Sequence, residues 1–145
     1  MVTFLSQPKQ LLLKDISPGL RAVVDFSVTA EEMQQFAAIS GDHNPLHHNM
    51  AFAQEKGFRN VVVYGALLVA KTSNLIGMQL PGLNGIWSSV MLRFHQPLYV
   101  GEPARVEGEV VAVSQATGLI EIKLTIRSND RNIAKGKAEV LLVSQ

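Results

Sequence analysis

Gly65-Ala-Leu-Leu-Val-Ala-Lys-Thr-Ser-Asn-Leu-Ile-Gly-Met78 is the stretch on which the fold turns. Its Ala and Leu residues, interspersed with small side chains, put apolar groups around much of a 3.6-residue helix, as in a helix buried by its neighbours. Pro81-Gly82 stops it. Beyond that stop the hydrophobic period drops to two. Ile120, Ile122, Leu124 and Ile126 alternate with Glu121, Lys123, Thr125 and Arg127, which is a half-buried strand. Strands also fit residues 86–95, 104–114 and 133–143. Gln96-Pro97, Gly101-Glu102-Pro103, Thr117-Gly118 and Asn129-Asp130-Arg131-Asn132 separate these runs. The short connections predict an antiparallel sheet, laid out as a meander.

Upstream of the apolar helix, Ala22, Val24, Phe26 and Val28 alternate with Arg21, Val23, Asp25 and Ser27, predicting a first strand over 21–28. Thr29-Ala30-Glu31-Glu32 reads as a capping box opening a short amphipathic helix over 30–39, closed by Gly41. A further short helix is expected over 50–56. The whole is an α+β domain, with an antiparallel sheet wrapped around a central helix and a single domain over residues 1–145.

Composition narrows the function classes. Hydrophobic residues make up 47% and charged residues 17% of 145 residues, a globular balance that excludes disorder as the main state. The formal charge is +1 with no clustered basic stripe, against a nucleic-acid partner. Without cysteine, disulfides, thiol catalysis and Cys-ligated metals drop out. The longest apolar stretch, 61–70, is about half of the roughly twenty residues a spanning helix needs, so no membrane association is expected. Residues 1–10 show neither a cationic segment nor an apolar core of the secretory kind. A cytoplasmic protein is the expectation.

The polar cluster after the first helix is the strongest chemical lead. Asp42 and His47 lie five residues apart across a turn stiffened by Pro45. An Asp and a His at this spacing fit acid–base chemistry, but also an Asx-type turn whose side chains serve their own backbone. His43 and His47 are four apart, which suits a metal only on one helix face. Pro45 breaks that face, so no metal site is expected. His95 reads as a surface or rim residue, and His48 carries no assigned role.

Phe36-Ala-Ala-Ile-Ser-Gly-Asp42-His-Asn44-Pro45-Leu-His47 resembles the signature of MaoC-like hydratases, in particular the (R)-specific enoyl-CoA hydratases. The likeness continues through Tyr64-Gly65-Ala66-Leu67-Leu68, Leu80-Pro81-Gly82 and Phe94-x-x-Pro97-Leu-x-Val-Gly101-Glu102, in order along most of the chain. It implies a hotdog fold and a hydro-lyase, with Asp42, His47 and Gly65 as catalytic residues. Asp42 would take a proton from water attacking the β carbon of a trans-2-enoyl thioester. His47 would orient that water and deliver or relay a proton to the α carbon, the division between the two being left open. The Gly65 amide, in the unpaired first turn of the apolar helix, would receive the thioester oxygen; otherwise Gly65 merely permits a tight turn.

The same resemblance places Asn44, Tyr64, Ser73, Ile76 and Val140 at the substrate. Ser73, Ile76 and Val140 would line an acyl pocket, or else Ser73 faces solvent and the other two are plain core. Tyr64 stands where family members commonly carry His, which bears on local hydrogen bonding or substrate preference. Lys56, Arg59, Arg93 and Lys135 could face nucleotide phosphates or be ordinary solvated charges. No cofactor is implied, because the CoA or acyl-carrier-protein (ACP) thioester is itself the substrate. A homodimer is expected, since a lone curled sheet leaves an edge to cover. The leading function is reversible hydration of trans-2-enoyl-CoA to (R)-3-hydroxyacyl-CoA. The alternatives are 3-hydroxyacyl-ACP dehydration, acyl-CoA thioester hydrolysis, and non-catalytic binding of an acyl thioester.

Overall fold

The computed structural model describes residues 6–143, so the reading of a missing leader rests in part on residues outside the described ones. Helix α3, Gly65–Met78, has the bounds read from the sequence. It lies against a five-stranded antiparallel sheet built from β1 (Arg21–Phe26), β2 (Gly85–Phe94), β3 (Ala104–Val113), β4 (Leu119–Ser128) and β5 (Arg131–Leu142), in the order β1-β3-β4-β5-β2. The inward face follows the period-two pattern: Ile120, Ile122, Leu124 and Ile126 are at most 1% exposed, while Lys123 and Arg127 face out. Val106 and Val110 of β3 join them. Gly108 between those two keeps the sheet close to the helix, since a Cβ there would stand 2.8 Å from Leu75 Cδ2.

Two details depart from the sequence reading. The meander holds for β3-β4-β5, but β2 pairs with β5 rather than β3, with Phe94 opposite Ala134 and Arg93 opposite Lys135. The connection over 95–103 carries the chain from β2 at one edge to β3 near the other, anchored by buried Leu98 and Tyr99. Val63 N–H donates to Leu98 C=O at 2.8 Å, so the crossing is held to the segment before α3. In addition, α3 is not covered all round. It buries Leu67, Leu68, Thr72, Leu75 and Ile76, whereas Ala66, Ala70, Ser73, Asn74 and Gly77 form an exposed side. One sheet can cover only one side of a helix, and small side chains occupy the other.

The N-terminal half forms α1 (Ala30–Ser40) and α2 (Met50–Glu55). Thr29 Oγ1 accepts from Glu32 N–H at 3.0 Å while Glu32 Oε1 accepts from Thr29 N–H at 3.1 Å, the reciprocal cap expected from the sequence. Glu32 Oε2 also receives Lys71 Nζ at 2.6 Å, tying α1 to α3. Among the described residues no helix is long and apolar enough to cross a membrane.

Candidate active site

The loop between α1 and α2 is built from bonds of very short span. Gly41 ends α1 at φ +75°, a conformation that favours glycine, and its N–H donates to Ala37 C=O at 2.9 Å. From there the side chains of alternate residues cap successive backbone amides. Ser40 Oγ accepts from Asp42 N–H, Asp42 Oδ1 from Asn44 N–H and Asn44 Oδ1 from Leu46 N–H, each at 3.0 Å. Pro45 then opens a single 3₁₀ turn, Pro45–His47. Asp42 and Asn44 thus do serve their own backbone, and the Asp42 carboxylate keeps its second oxygen outside this set of caps.

The far end of the loop is pinned to the segment before α3 by two reciprocal bonds. Val62 N–H donates to Leu46 C=O at 3.1 Å, and His47 Nδ1 lies 2.6 Å from Val62 C=O. A carbonyl can only accept, so Nδ1 carries a proton, and of the two neutral tautomers this bond selects the one with its lone pair at Nε2. The His47 ring stacks on Tyr64, with centroids 3.9 Å apart and planes 26° apart.

His47 lines a pocket of about 280 Å³ whose walls include Gly65, Leu68 and Phe58, and whose far side is the crossing segment from His95 to Leu98. Gly65 is the first residue of α3, where N–H groups have no intrahelical acceptor and the helix dipole favours negative charge. Phe94 covers it closely: a Cβ on Gly65 would stand 2.9 Å from two ring carbons of Phe94. Glycine at this position lets the aromatic wall and the amide share one face of the pocket.

The remaining site residues read from the sequence are placed as follows. Asp42 stands exposed at the head of the loop and is not among the pocket's lining residues. Tyr64 is 2% exposed and lies beneath the loop, rather than in the pocket wall. Its Oη donates to Asp42 C=O at 2.5 Å and receives His48 Nε2 at 2.6 Å. Burial raises the Tyr64 hydroxyl above its usual pKa and the nearby charge of Asp42 adds to this, so the group stays a donor. Ile76 and Val140 lie in the core at 3% and 0% exposure, and Ser73 stands on the exposed side of α3. None of these three lines the pocket beside His47.

Phe94, Phe58 and Leu68 do line it, and the sequence reading had assigned them no role. A signal for Phe94 was present, since it falls in the Phe94-x-x-Pro97 segment and on the inward parity of β2. Of the four surface cations, Arg59 is engaged with Glu102 at 2.8 Å, Lys56 lies 5.3 Å from the Phe52 ring, and Arg93 and Lys135 face each other across strands. Among the described residues no group of three or more His, Asp or Glu is placed to hold a metal.

Residues 14–131 match the MaoC like domain family. The chain belongs to that family. A relative, an (R)-specific enoyl-CoA hydratase of Aeromonas caviae, is 37% identical over 102 residues, covering 70% of this chain and 76% of that protein. A mitochondrial 3-hydroxyacyl-[acyl-carrier-protein] dehydratase of Arabidopsis thaliana is 32% identical over 121 residues, covering 83% and 66%. Among solved structures, an R-hydratase from Pseudomonas aeruginosa superposes with a TM-score of 0.89 at 28% identity, covering 97% of this chain and 90% of that one. The hotdog fold expected from the sequence is the fold of such MaoC-like neighbours. Hydratase and dehydratase name the two directions of one hydro-lyase reaction, in agreement with the enzyme class read from the motif.

Proposed function

We propose that this MaoC-like protein adds water reversibly across the double bond of a trans-2-enoyl-CoA, giving the (R)-3-hydroxyacyl-CoA. The observation that carries the reading is the shared pocket of His47 and Gly65, with His47 Nδ1 committed to Val62 C=O and Nε2 free to work. The thioester oxygen accepts the Gly65 N–H, which stabilises the negative charge that develops as the double bond polarises. The free oxygen of the exposed Asp42 carboxylate must reach, from outside the pocket lining, a water held by His47 Nε2, which gives it a proton as the water oxygen bonds to the β carbon. The π electrons pass toward the thioester oxygen and return to the α carbon as it takes one proton from the Asp42–His47 pair. One proton leaves the water and one reaches carbon, so the pair ends the turnover as it began. Side chains and one amide suffice for this chemistry, and no cofactor takes part.

Support for CoA as carrier comes from the name of the Aeromonas relative, and the Arabidopsis relative supports a second reading in which ACP holds the acyl group. The test follows the loss of enoyl absorbance with crotonyl-CoA and longer enoyl-CoA, against the same acyl groups on ACP, with chiral analysis of the product. An (R) alcohol from the CoA substrates is expected. An (S) product, free thiol without hydration, or no turnover of either carrier defeats the reading.

We also propose a homodimer. Strand β2 is an edge of the sheet, with Ile86, Val90 and Phe94 at 55%, 42% and 53% exposure. The small-residue side of α3 is also uncovered. An uncovered apolar edge is a liability that a second copy of the same surface removes.

A further inference from the structure

We propose that Tyr64 and His48 are positioning residues for the Asp42–His47 pair, fixing the main chain of Asp42 and the plane of the His47 ring from beneath the loop; this rests on the hydratase reading above. The direction of each hydrogen bond follows from what the atoms can do. Asp42 C=O only accepts, so the single proton of Tyr64 Oη goes to it, at 2.5 Å. The remaining short bond of Oη, 2.6 Å to His48 Nε2, must then carry the proton of His48. A directed chain results, from His48 Nε2–H to Tyr64 Oη–H to Asp42 C=O. Neutral or charged, His48 can keep its proton on Nε2, so the chain does not depend on the charge of that ring.

The ring of Tyr64 does a second task. Phe36 packs on it at 4.6 Å between centroids, and His47 stacks on it at 3.9 Å. With Nδ1 tied to Val62 C=O and a face held by Tyr64, the His47 ring is fixed in orientation while the residue lines the pocket beside Gly65. One buried phenol therefore bears on both members of a pair that the chain itself separates by five residues, touching the backbone of one and the ring of the other. It does so from outside the pocket lining, and its effect belongs to the rate of the bound complex rather than to substrate affinity.

The test is steady-state kinetics of enoyl-CoA hydration on the full chain. Tyr64→Phe keeps the stacked ring and removes only the hydroxyl. Its kcat is expected to fall by about tenfold or more while KM changes far less, because small displacements of catalytic groups cost up to ~10²-fold. His48→Leu, at an exposed position, should move kcat in the same direction. His48→Gln, which keeps an N–H within reach of Oη, should retain most of the rate. Wild-type kcat in both Tyr64→Phe and His48→Leu overturns the inference, as does a raised KM at unchanged kcat, which would make Tyr64 a substrate-binding residue. If Tyr64→Phe fails to fold, the His48 pair alone decides, with equal rates for Leu and Gln overturning the proposal. An inert wild type defeats the hydratase reading itself, whereas an active wild type matched by the variants defeats this inference alone.

Discussion

Asp42 is asked to do two things with one carboxylate. Oδ1 caps Asn44 N–H, and a second oxygen is left for chemistry. Asp42→Asn preserves an oxygen for the cap and removes the charge, which makes it a cleaner probe than Ala. We expect kcat to fall by ~10²–10⁴ in Asp42→Asn and in His47→Ala, the usual worth of a placed acid–base group. The double variant should lose less than the product of the two, as groups acting in one step do. Stopped-flow or steady-state hydration assays check both statements. Gly65→Ala would bring a methyl group 2.9 Å from the Phe94 ring, which must swing away. The expected outcome is a large loss of rate with a smaller change in melting temperature, since the neighbour that must give is a side-chain ring, 53% exposed in the single chain, rather than backbone. At this scale the sequence was readable in the turn itself, where Asp42 and Asn44 cap their own backbone ahead of Pro45 as an Asx-type turn implies. It marked Tyr64 for local hydrogen bonding or substrate preference but not for the groups it meets, since those partners lie 16 and 22 residues away.

Elements are joined by a few bonds that carry more than their share. Glu102, half-buried at the end of the crossing segment, receives Arg59 at 2.8 Å and Arg131 at 2.6 Å, while Arg131 also donates to Pro97 C=O at 2.6 Å in the pocket wall. Burial alone would raise the Glu102 pKa, but the Arg59 and Arg131 guanidiniums outweigh it and hold the carboxyl below its usual 4.5. A group depressed in the folded state stabilises above its unfolded value and loses that contribution as pH falls through the folded one. Glu102→Gln should therefore cost about 2 kcal/mol at neutral pH, scaled down from the 3–5 of a fully buried pair. The gap from wild type should close as pH drops below 4.5, as read from urea midpoints across pH. Gly136→Ala belongs here too, because its Cβ would stand 1.8 Å from Met91 C=O on the neighbouring strand. Backbone cannot step aside as Phe94 can, so a loss of about 3 kcal/mol is expected in urea unfolding. Strand and helix identities were legible from period and caps. The partner of β2 was not, because nothing local in residues 86–95 distinguishes β5 from β3, and the choice is made by the buried anchors Leu98 and Tyr99 further along.

For the molecule as a whole, the surface decides what the interior leaves open. The edge strand and the small-residue side of α3 predict a species of twice 15.8 kDa in sedimentation equilibrium. Val90→Lys, placing a charge on the inward parity of β2 opposite Ala138, should shift that mass toward the single chain. A wild type that sediments at 15.8 kDa at micromolar concentration would contradict the homodimer. The helix sequence, apolar around much of its circumference, led us to expect a helix buried by its neighbours. A single chain leaves one side bare, and its alanines and glycine are the kind of residues that admit close approach. The loop between α1 and α2 offers a contrast in scale: three of its caps each span only two residues, from 40 to 46. Bends written so locally travel with their own seven letters, and a foreign scaffold would need to supply an amide N–H in the role of Val62, to meet Leu46 C=O, and a buried hydroxyl in the role of Tyr64, to meet Asp42 C=O, to receive them as a transplant.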